Sequence, residues 1–233
     1  MKRVRSIGII MDGNRRFAKA RGLPSFEGHR QGYETLKKLA DEFPRLKKTY
    51  GLEYITLYAF STENWNRSKE EVEFLMQLFA GALREMIDSL TKGIPEEKQV
   101  RLRIAGQRER FSPELRALIE EVEEKTKEFK AGTLCIALSY GGRAEILHAA
   151  KAVTESGMEM TEENFGKYLW TEGIPDPDLI IRTSGEERLS GFLPWQSVYS
   201  ELFFTETLWP DFTVSELETI FAEYDARDRR IGK

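Results

Sequence analysis

The sequence predicts an α/β fold: a single domain with a mostly parallel six-stranded sheet flanked by helices. Three observations carry this reading. Short β-branched apolar runs alternate with longer helical patterns from end to end, as strands joined by crossover helices require. No repeat, low-complexity tract or Pro/Gly/Ser-rich linker divides the 233 residues. A hydrophobic content of 40% is enough to close a sizeable core, so residues 1–233 are expected to form one domain.

The first strand is expected over 7–11, an unbroken Ile-Gly-Ile-Ile-Met run. Further buried strands follow at 54–60, 100–105, 134–139 and 179–182, with a weaker sixth at 202–204. Helical periodicity fills the intervals at 31–47, 69–90, 113–129, 143–155 and 161–169, and a last helix is expected over 214–224. Pro44 should kink or split the first of these helices. Pro113 instead suits a first helical turn, with Ser112 as its N-cap.

Composition excludes several function classes. The formal net charge is −4, from 35 Lys and Arg against 39 Asp and Glu, without the basic excess of a nucleic-acid partner. One cysteine, Cys135, cannot form an internal disulfide, and two histidines, His29 and His148, are too few for a histidine-rich metal site. Lys2, Arg3 and Arg5 precede an apolar run that Asp12 ends too early for a secretory signal. No stretch approaches the length of a membrane span. A soluble, intracellular protein is expected.

Open parallel sheets bind ligands beyond the carboxyl ends of their strands, and the polar segments of this chain fall there. Asp12-Gly13-Asn14-Arg15-Arg16 follows the first strand. Across residues 12–30 five cations face two carboxylates, a local +3 in an acidic chain, with His29 as a further donor. Such an excess suits a diphosphate, and a carboxylate beside phosphates is what Mg²⁺ needs as a bridge. A helix N-cap with solvated arginines explains the segment equally well. Ser61-Thr62-Glu63-Asn64-Trp65-Asn66-Arg67 follows the second strand; its groups could orient a substrate and take a phosphate, or form a Ser/Asx turn that folds Trp65 onto the core. Glu70, Glu71 and Glu73 suit the helix dipole just beyond. Gly141-Gly142-Arg143 follows the fourth strand. After the fifth, Arg182 and Arg188 flank a Ser-Gly turn with Ser190 nearby, a second anion cradle or a set of salt bridges with Glu186 and Glu187. Glu201 adds a carboxylate before the last strand. The chain lacks a P-loop and a Gly-x-Gly-x-x-Gly turn.

The helix over 70–90 carries a wide apolar stripe that includes Leu75, Phe79, Leu83 and Met86, broadened by Phe74 and Leu78. Ala80-Gly81-Ala82 leaves little side-chain volume at its middle. Packing on both sides explains this, and so does a greasy cleft for an isoprenoid tail.

With these motifs in hand, the chain resembles the cis-prenyltransferases, the family of undecaprenyl and dehydrodolichyl diphosphate synthases. The resemblance runs from about Ile7 to Gly232. It rests on Met11-Asp12-Gly13-Asn14-Arg15-Arg16-Phe17-Ala18, Gly28-His29-Arg30-Gln31-Gly32, Tyr58-Ala59-Phe60-Ser61-Thr62-Glu63-Asn64-Trp65-Asn66-Arg67, Ser139-Tyr140-Gly141-Gly142-Arg143 and Asp178-Leu179-Ile180-Ile181-Arg182-Thr183-Ser184-Gly185-Glu186.

The resemblance implies an undecaprenyl diphosphate synthase-like fold with a hydrophobic tunnel, and one catalytic domain over the whole chain. It implies an Mg²⁺-dependent condensation of isopentenyl diphosphate onto an allylic diphosphate primer, giving a Z-polyprenyl diphosphate of the lipid-carrier type. The allylic diphosphate would sit on Gly13, Asn14, Arg15 and Arg16 with His29 and Arg67. Isopentenyl diphosphate would sit on Arg182, Arg188 and Ser190. Asp12, with Glu201 nearby, would hold Mg²⁺, and Asn14 and Ser61 would orient proton loss. Ala59, Leu75, Phe79, Leu83 and Met86 would wall the tunnel. Arg230 and Gly232 look like the family's Arg-x-Gly element, which reaches the diphosphate site across a homodimer interface. No nucleic acid is implied, and membrane contact is at most peripheral for a cytoplasmic enzyme. Replacing Asp12 with Ala should then abolish turnover with little loss of folding.

Some positions depart from the family pattern. Arg15 stands where bacterial members usually have Gly, Phe17 where they have Trp, and Glu187 where they commonly have His. Ser25 falls where many carry a phosphate-binding Arg. With the extra residues around 92–99, these features lean toward the archaeal and eukaryotic branch. Two other readings stay open: a homologue with a non-standard acceptor or short product, and a non-catalytic partner subunit. Such subunits typically lose the Asp that is present here at position 12.

Overall fold

Each apolar run read as a strand enters one sheet. In the computed structural model of the chain, which describes residues 3–227, the strands are β1 (Ser6–Ile10), β2 (Tyr54–Ser61), β3 (Val100–Ala105), β4 (Gly132–Tyr140), β5 (Leu179–Arg182) and β6 (Glu201–Phe204). They pair in the order β3-β4-β2-β1-β5-β6, and every pairing is parallel. The helices are α1 (Asn14–Ala20), α2 (Ser25–Tyr50), α3 (Lys69–Lys92), α4 (Pro113–Thr126), α5 (Gly142–Ser156), α6 (Glu162–Gly166) and α7 (Val214–Ala226).

Both faces of the sheet are covered, which is why the strands read as near-continuous apolar runs. All of β1 is buried. Ile7, Ile9, Ile55 and Leu57 pack under Leu39 and Phe43 of α2 and Leu217 and Phe221 of α7. On the other face Ile10, Ile180 and Cys135 meet Phe192 and Leu193 from the long segment between β5 and β6. A third apolar cluster joins Leu75 and Leu83 of α3 to Leu115 and Ile119 of α4, over Leu102 and Ile104 of β3.

Three expectations change. Pro44 does not split its helix; α2 begins six residues earlier than the pattern suggests and runs unbroken through it. The physical reason is burial on both sides of the proline: Leu39 and Phe43 before it and Leu46 after it are 4%, 2% and 0% exposed. That anchoring outweighs one missing backbone hydrogen bond. The 161–169 pattern shrinks to the short α6, and the 113–129 pattern ends at Thr126. In β2, the register to β4 shifts between Tyr58 and Phe60, placing a bulge at Ala59, next to the polar segment that follows.

The topology fixes where a ligand can sit. β1 connects toward β2 on one side while β5 lies on its other side, so the carboxyl ends of β1 and β5 form the switch point of the sheet. Ile10 stands in register with both Tyr58 of β2 and Arg182 of β5. The segments after β1, β2 and β5 therefore leave the sheet side by side.

Because a helix-interior proline costs about 3 kcal/mol relative to Ala in isolation, Pro44→Ala is expected to stabilise the protein by about 1–3 kcal/mol. Denaturant unfolding measures this; a lower midpoint for the variant would show that the proline shapes α2 after all.

Candidate active site

The switch point is held by one ion pair. Asp12 Oδ2 accepts from Arg182 Nη2 at 2.8 Å, and its Oδ1 accepts from the backbone N–H of Gly13 at 2.7 Å. Thr183 closes the joint: the Asp12 N–H donates to its Oγ1 at 2.9 Å, and that hydroxyl donates back to the Asp12 carbonyl at 2.7 Å. Burial pushes the Asp12 carboxyl up, but the hydrogen bond and charge of Arg182, the Gly13 N–H and the Arg16 charge together hold it below its ordinary value. It is ionised at neutral pH. Gly13 is required here, since its φ of 111° lies in the left-handed region and an added Cβ would strike Leu208.

Arg182 is 4% exposed and fully engaged on one side. Its Nη1 donates to Ser190 Oγ at 2.8 Å and to the Arg188 carbonyl, whereas Nε is buried with no partner. Ser184 and Ser190 hold left-handed φ values of 82° and 49°, a strain of the kind found at ligand-binding loops. Arg16 donates to Ser184 Oγ and lies 3.7 Å from Glu186, which also pairs with Arg188. The second basic cradle thus adjoins the first, and Glu186 sits between them.

The second cluster centres on Glu71, in the first turn of α3. One carboxylate oxygen meets both Arg67 Nη1 at 2.8 Å and His29 Nε2 at 3.3 Å, while the other lies 3.9 Å from Arg15. His29 is 8% exposed. Burial, then the Arg67 charge, lowers its pKa against the opposing pull of Glu71, so it is neutral near pH 7. Asn14 begins α1 with its Oδ1 buried and without a donor. Gly28 allows this close approach, because a Cβ there would lie 2.0 Å from the Asn14 carbonyl.

Ser61 and Asn64 form a reciprocal cap. Asn64 N–H donates to Ser61 Oγ at 3.2 Å and Ser61 N–H to Asn64 Oδ1 at 3.1 Å. Trp65 folds onto Phe60 and Phe111 and donates to Ser139 Oγ at 2.9 Å. The turn reading of this segment is therefore the correct local one. Beneath the Gly141-Gly142 turn, Glu145 is fully buried, bonded by Tyr140 Oη and Gln196 Nε2; burial raises its pKa.

Between α2 and α3, over β2, β4 and β3, runs an apolar cavity of about 500 Å³. Asn14 and His29 stand at its site end. Ala59, Leu75, Phe79, Leu83 and Met86 all line it. The wide stripe of α3 serves this cavity as well as the core, which is why only Leu75 and Leu83 on that helix are fully buried.

One expected pairing fails. Glu201 opens β6 in register with Leu179, at the amino end of the sheet, and its carboxylate takes Arg227 Nη1 at 2.7 Å. Arg182, three residues up β5, is level with Ile10, so Glu201 lies about 10 Å or more along the strands from Asp12. Within one chain it does not join Asp12. Among the described residues, no three Asp, Glu, His or Cys side chains cluster as a metal cage. Mg²⁺ commonly takes one or two carboxylates and completes its shell with substrate oxygens and water, and the ionised Asp12 fits that pattern. Arg230 and Gly232 lie outside the described residues.

Glu71, Thr183 and Glu186 had no place in the expected ligand set. Glu71 suits the helix dipole and the nearby Arg67; only the approach of α1 and α2 to the start of α3 adds Arg15 and His29 to its neighbours.

The ion pair also changes what Asp12 substitution does. Asp12→Ala leaves the buried Arg182 charge uncompensated, so a loss of about 1–3 kcal/mol is expected on top of any effect on turnover. Because the folded-state pKa of Asp12 is depressed, its contribution is complete above about pH 4 and fades as pH falls through the folded value. Urea unfolding at pH 7 and at pH 3 should therefore show a smaller gap between variant and wild type at the lower pH. An equal gap at both would contradict the pairing.

Known proteins resemble the chain over nearly its whole length. A family model described as "Putative undecaprenyl diphosphate synthase" matches residues 10–232. An isoprenyl transferase of Thermotoga maritima is 48% identical, over 97% of this chain and 95% of its own. One from Neisseria gonorrhoeae is 45% identical, over 98% and 89%. Among solved structures, lavandulyl diphosphate synthase from Lavandula x intermedia, in complex with dimethylallyl diphosphate, superposes with a TM-score of 0.89 at 33% identity, covering 99% of this chain and 98% of that one. The structure of a probable undecaprenyl diphosphate synthase from Campylobacter jejuni gives 0.82 at 36% identity, with both chains fully covered. Basic segments at the switch point, an apolar cavity beside them and this likeness over nearly the whole length lead to one conclusion: the chain belongs to the undecaprenyl diphosphate synthase family of isoprenyl transferases.

Proposed function

We propose that this protein is an Mg²⁺-dependent cis-prenyltransferase that condenses isopentenyl diphosphate onto an allylic diphosphate primer, giving a Z-polyprenyl diphosphate of the lipid-carrier type. In this reading the whole chain is one catalytic domain. The observation that carries it is the joining of the Gly13–Arg16 cradle to the mouth of an apolar cavity through Asn14 and His29. A diphosphate and a hydrocarbon tail need that combination.

The allylic diphosphate is held by the Gly13 and Asn14 backbone with Arg15, Arg16, His29 and Arg67. Isopentenyl diphosphate is held by Arg182, Arg188 and Ser190, with the partnerless Arg182 Nε as a further donor. Asp12 holds magnesium, which when bound supplies positive charge against the departing diphosphate. The basic side chains stabilise the same charge and fix both substrates in reach of one another, so electrostatics and orientation do most of the work. Asn14 Oδ1, an acceptor without a donor, and the Ser61 hydroxyl orient the proton lost as the new double bond forms. The tail lengthens along Ala59, Leu75, Phe79, Leu83 and Met86.

A homodimer is part of this reading, with Arg230 and Gly232 of each tail completing its neighbour's site. Leu202 and Phe204 share one face of the edge strand β6 and are both exposed; this apolar strip supports a second copy as the cover. No helix among the described residues is long and apolar enough to cross a membrane. A cytoplasmic enzyme with at most peripheral membrane contact, and no nucleic-acid partner, fits the −4 charge. A short-product or non-standard acceptor variant is the second reading, favoured by the likeness to lavandulyl diphosphate synthase.

Purified protein incubated with farnesyl diphosphate, isopentenyl diphosphate and Mg²⁺ is expected to yield products longer by five-carbon units, detected by mass spectrometry. Asp12→Ala should lower turnover at least about 100-fold, the scale of losing a pre-organised electrostatic contact. Elongation only with a second subunit present would instead favour a non-catalytic partner. Deleting residues 230–233 should cut turnover sharply without lowering the unfolding midpoint; unchanged turnover would remove the cross-subunit role.

A further inference from the structure

The cavity between α2 and α3 is too small for a long product as it stands. An engineered apolar cavity of about 150 Å³ holds benzene, six carbons. At that density about 500 Å³ accommodates on the order of twenty carbons. A farnesyl tail nearly fills it. Further growth must displace a wall, and the walls are unequal. Ile55, Leu57 and Ile136 belong to central strands, tied by the sheet on both sides. The side of α3 toward α4 is held by apolar packing, in which Leu75 and Leu83 share a cluster with Leu115 and Ile119.

The seam facing α2 is different, because the link between the two helices there is polar. Tyr33 Oη donates to Glu85 Oε2 at 2.9 Å. Lys37, one turn further along α2, lies 3.6 Å from Glu85 Oε1 and 2.8 Å from Glu34, with its ammonium 4.8 Å from the centre of the Tyr33 ring. Tyr33, Lys37 and Glu85 all line the cavity, so a carboxylate, an ammonium and a phenol stand in the wall of a hydrocarbon site. The Glu85 side chain is 55% exposed. Exposed polar contacts of this kind are weak, and water replaces them without leaving a buried charge. Apolar packing offers no such substitute.

We infer that the Tyr33–Glu85–Lys37 clasp is the side gate of the prenyl tunnel and sets product length: it bounds the cavity while closed, and the tail passes it when elongation exceeds the enclosed volume. This rests on the elongation activity proposed above and adds the residues that decide where elongation stops. Tyr33 and Glu85 are thereby specificity-determining residues that do not touch the reacting carbons. A competing gate lies at the far end, where Lys98 and Asp41 pair at 3.4 Å on the exposed rim of the same cavity.

The test compares product lengths from farnesyl and isopentenyl diphosphates for wild type, Tyr33→Phe, Glu85→Ala, Glu85→Gln and Lys98→Ala. The reading is the ratio of products above the enclosed capacity to those within it, a quantity independent of overall rate. Tyr33→Phe keeps the ring and removes the hydroxyl, while Glu85→Gln keeps an acceptor for it. Tyr33→Phe and Glu85→Ala should raise the ratio at least roughly threefold, the scale of one net hydrogen bond, and Glu85→Gln should stay near wild type. A ratio unchanged or lowered in both loss variants, or raised only by Lys98→Ala, overturns the gate. Calorimetric binding of farnesyl and of longer polyprenyl diphosphates to the same proteins separates the two levels of the account. If wild type adds no five-carbon unit, the elongation reading fails. The gate then stands or falls on whether Tyr33→Phe and Glu85→Ala gain affinity for the long tails relative to farnesyl; equal ratios overturn it.

Discussion

The pairing of Asp12 with Arg182 is the interaction on which the rest of this site depends. It joins the ends of β1 and β5 at the point where the sheet changes winding direction, and Thr183 repeats the joint through the backbone. A guanidinium as buried as that of Arg182 needs a permanent counter-charge, and Asp12 supplies it from the neighbouring strand. The same carboxylate faces the cradle that begins at Gly13. One residue therefore compensates a buried charge and, in the proposed reaction, holds the metal, so on that proposal stability and activity cannot be separated at this position.

The basic groups around that pair are all provisionally satisfied by carboxylates of the chain itself. Glu71 gathers Arg67, His29 and Arg15, and Glu186 sits between Arg16 and Arg188. This keeps clustered cations from repelling one another when no ligand is bound. An incoming diphosphate competes with these internal anions, so its affinity is the difference between two sets of charge pairs. The overall charge of −4 conceals the arrangement, because the carboxylates that balance the site are counted with those that solvate the surface.

Much of this architecture was legible in the sequence because parallel strands and their apolar runs are a local signal. The six strands fall where β-branched runs stand, and the polar segments after β1, β2 and β5 follow from their order. Pro44 shows the limit of local reasoning: its effect on α2 is decided by Phe43 and Leu46 reaching a core built from distant strands. Glu201 shows another. It stands beside a strand in sequence, yet the register of β6 puts it at the amino end of the sheet, away from Asp12. The contacts of Glu71 with Arg15 and His29, and the Tyr33–Glu85 contact, have no local signature, since each exists only where helices far apart in sequence approach. Leu75, Phe79, Leu83 and Met86 line the cavity between α2 and α3, and the helical stripe that carries them, wider than packing needs, is itself a periodic signal.

In the proposed reaction a single ligand spans the basic segment at the end of β1 and the cavity between α2 and α3. A crystal structure with a non-hydrolysable farnesyl thiodiphosphate and Mg²⁺ tests it directly. The diphosphate is predicted to bond the backbone of Gly13 and the side chains of Arg16, His29 and Arg67, with the tail lying along Leu75, Phe79 and Leu83. Diphosphate bound elsewhere, or a tail lying outside the α2–α3 cavity, would contradict it.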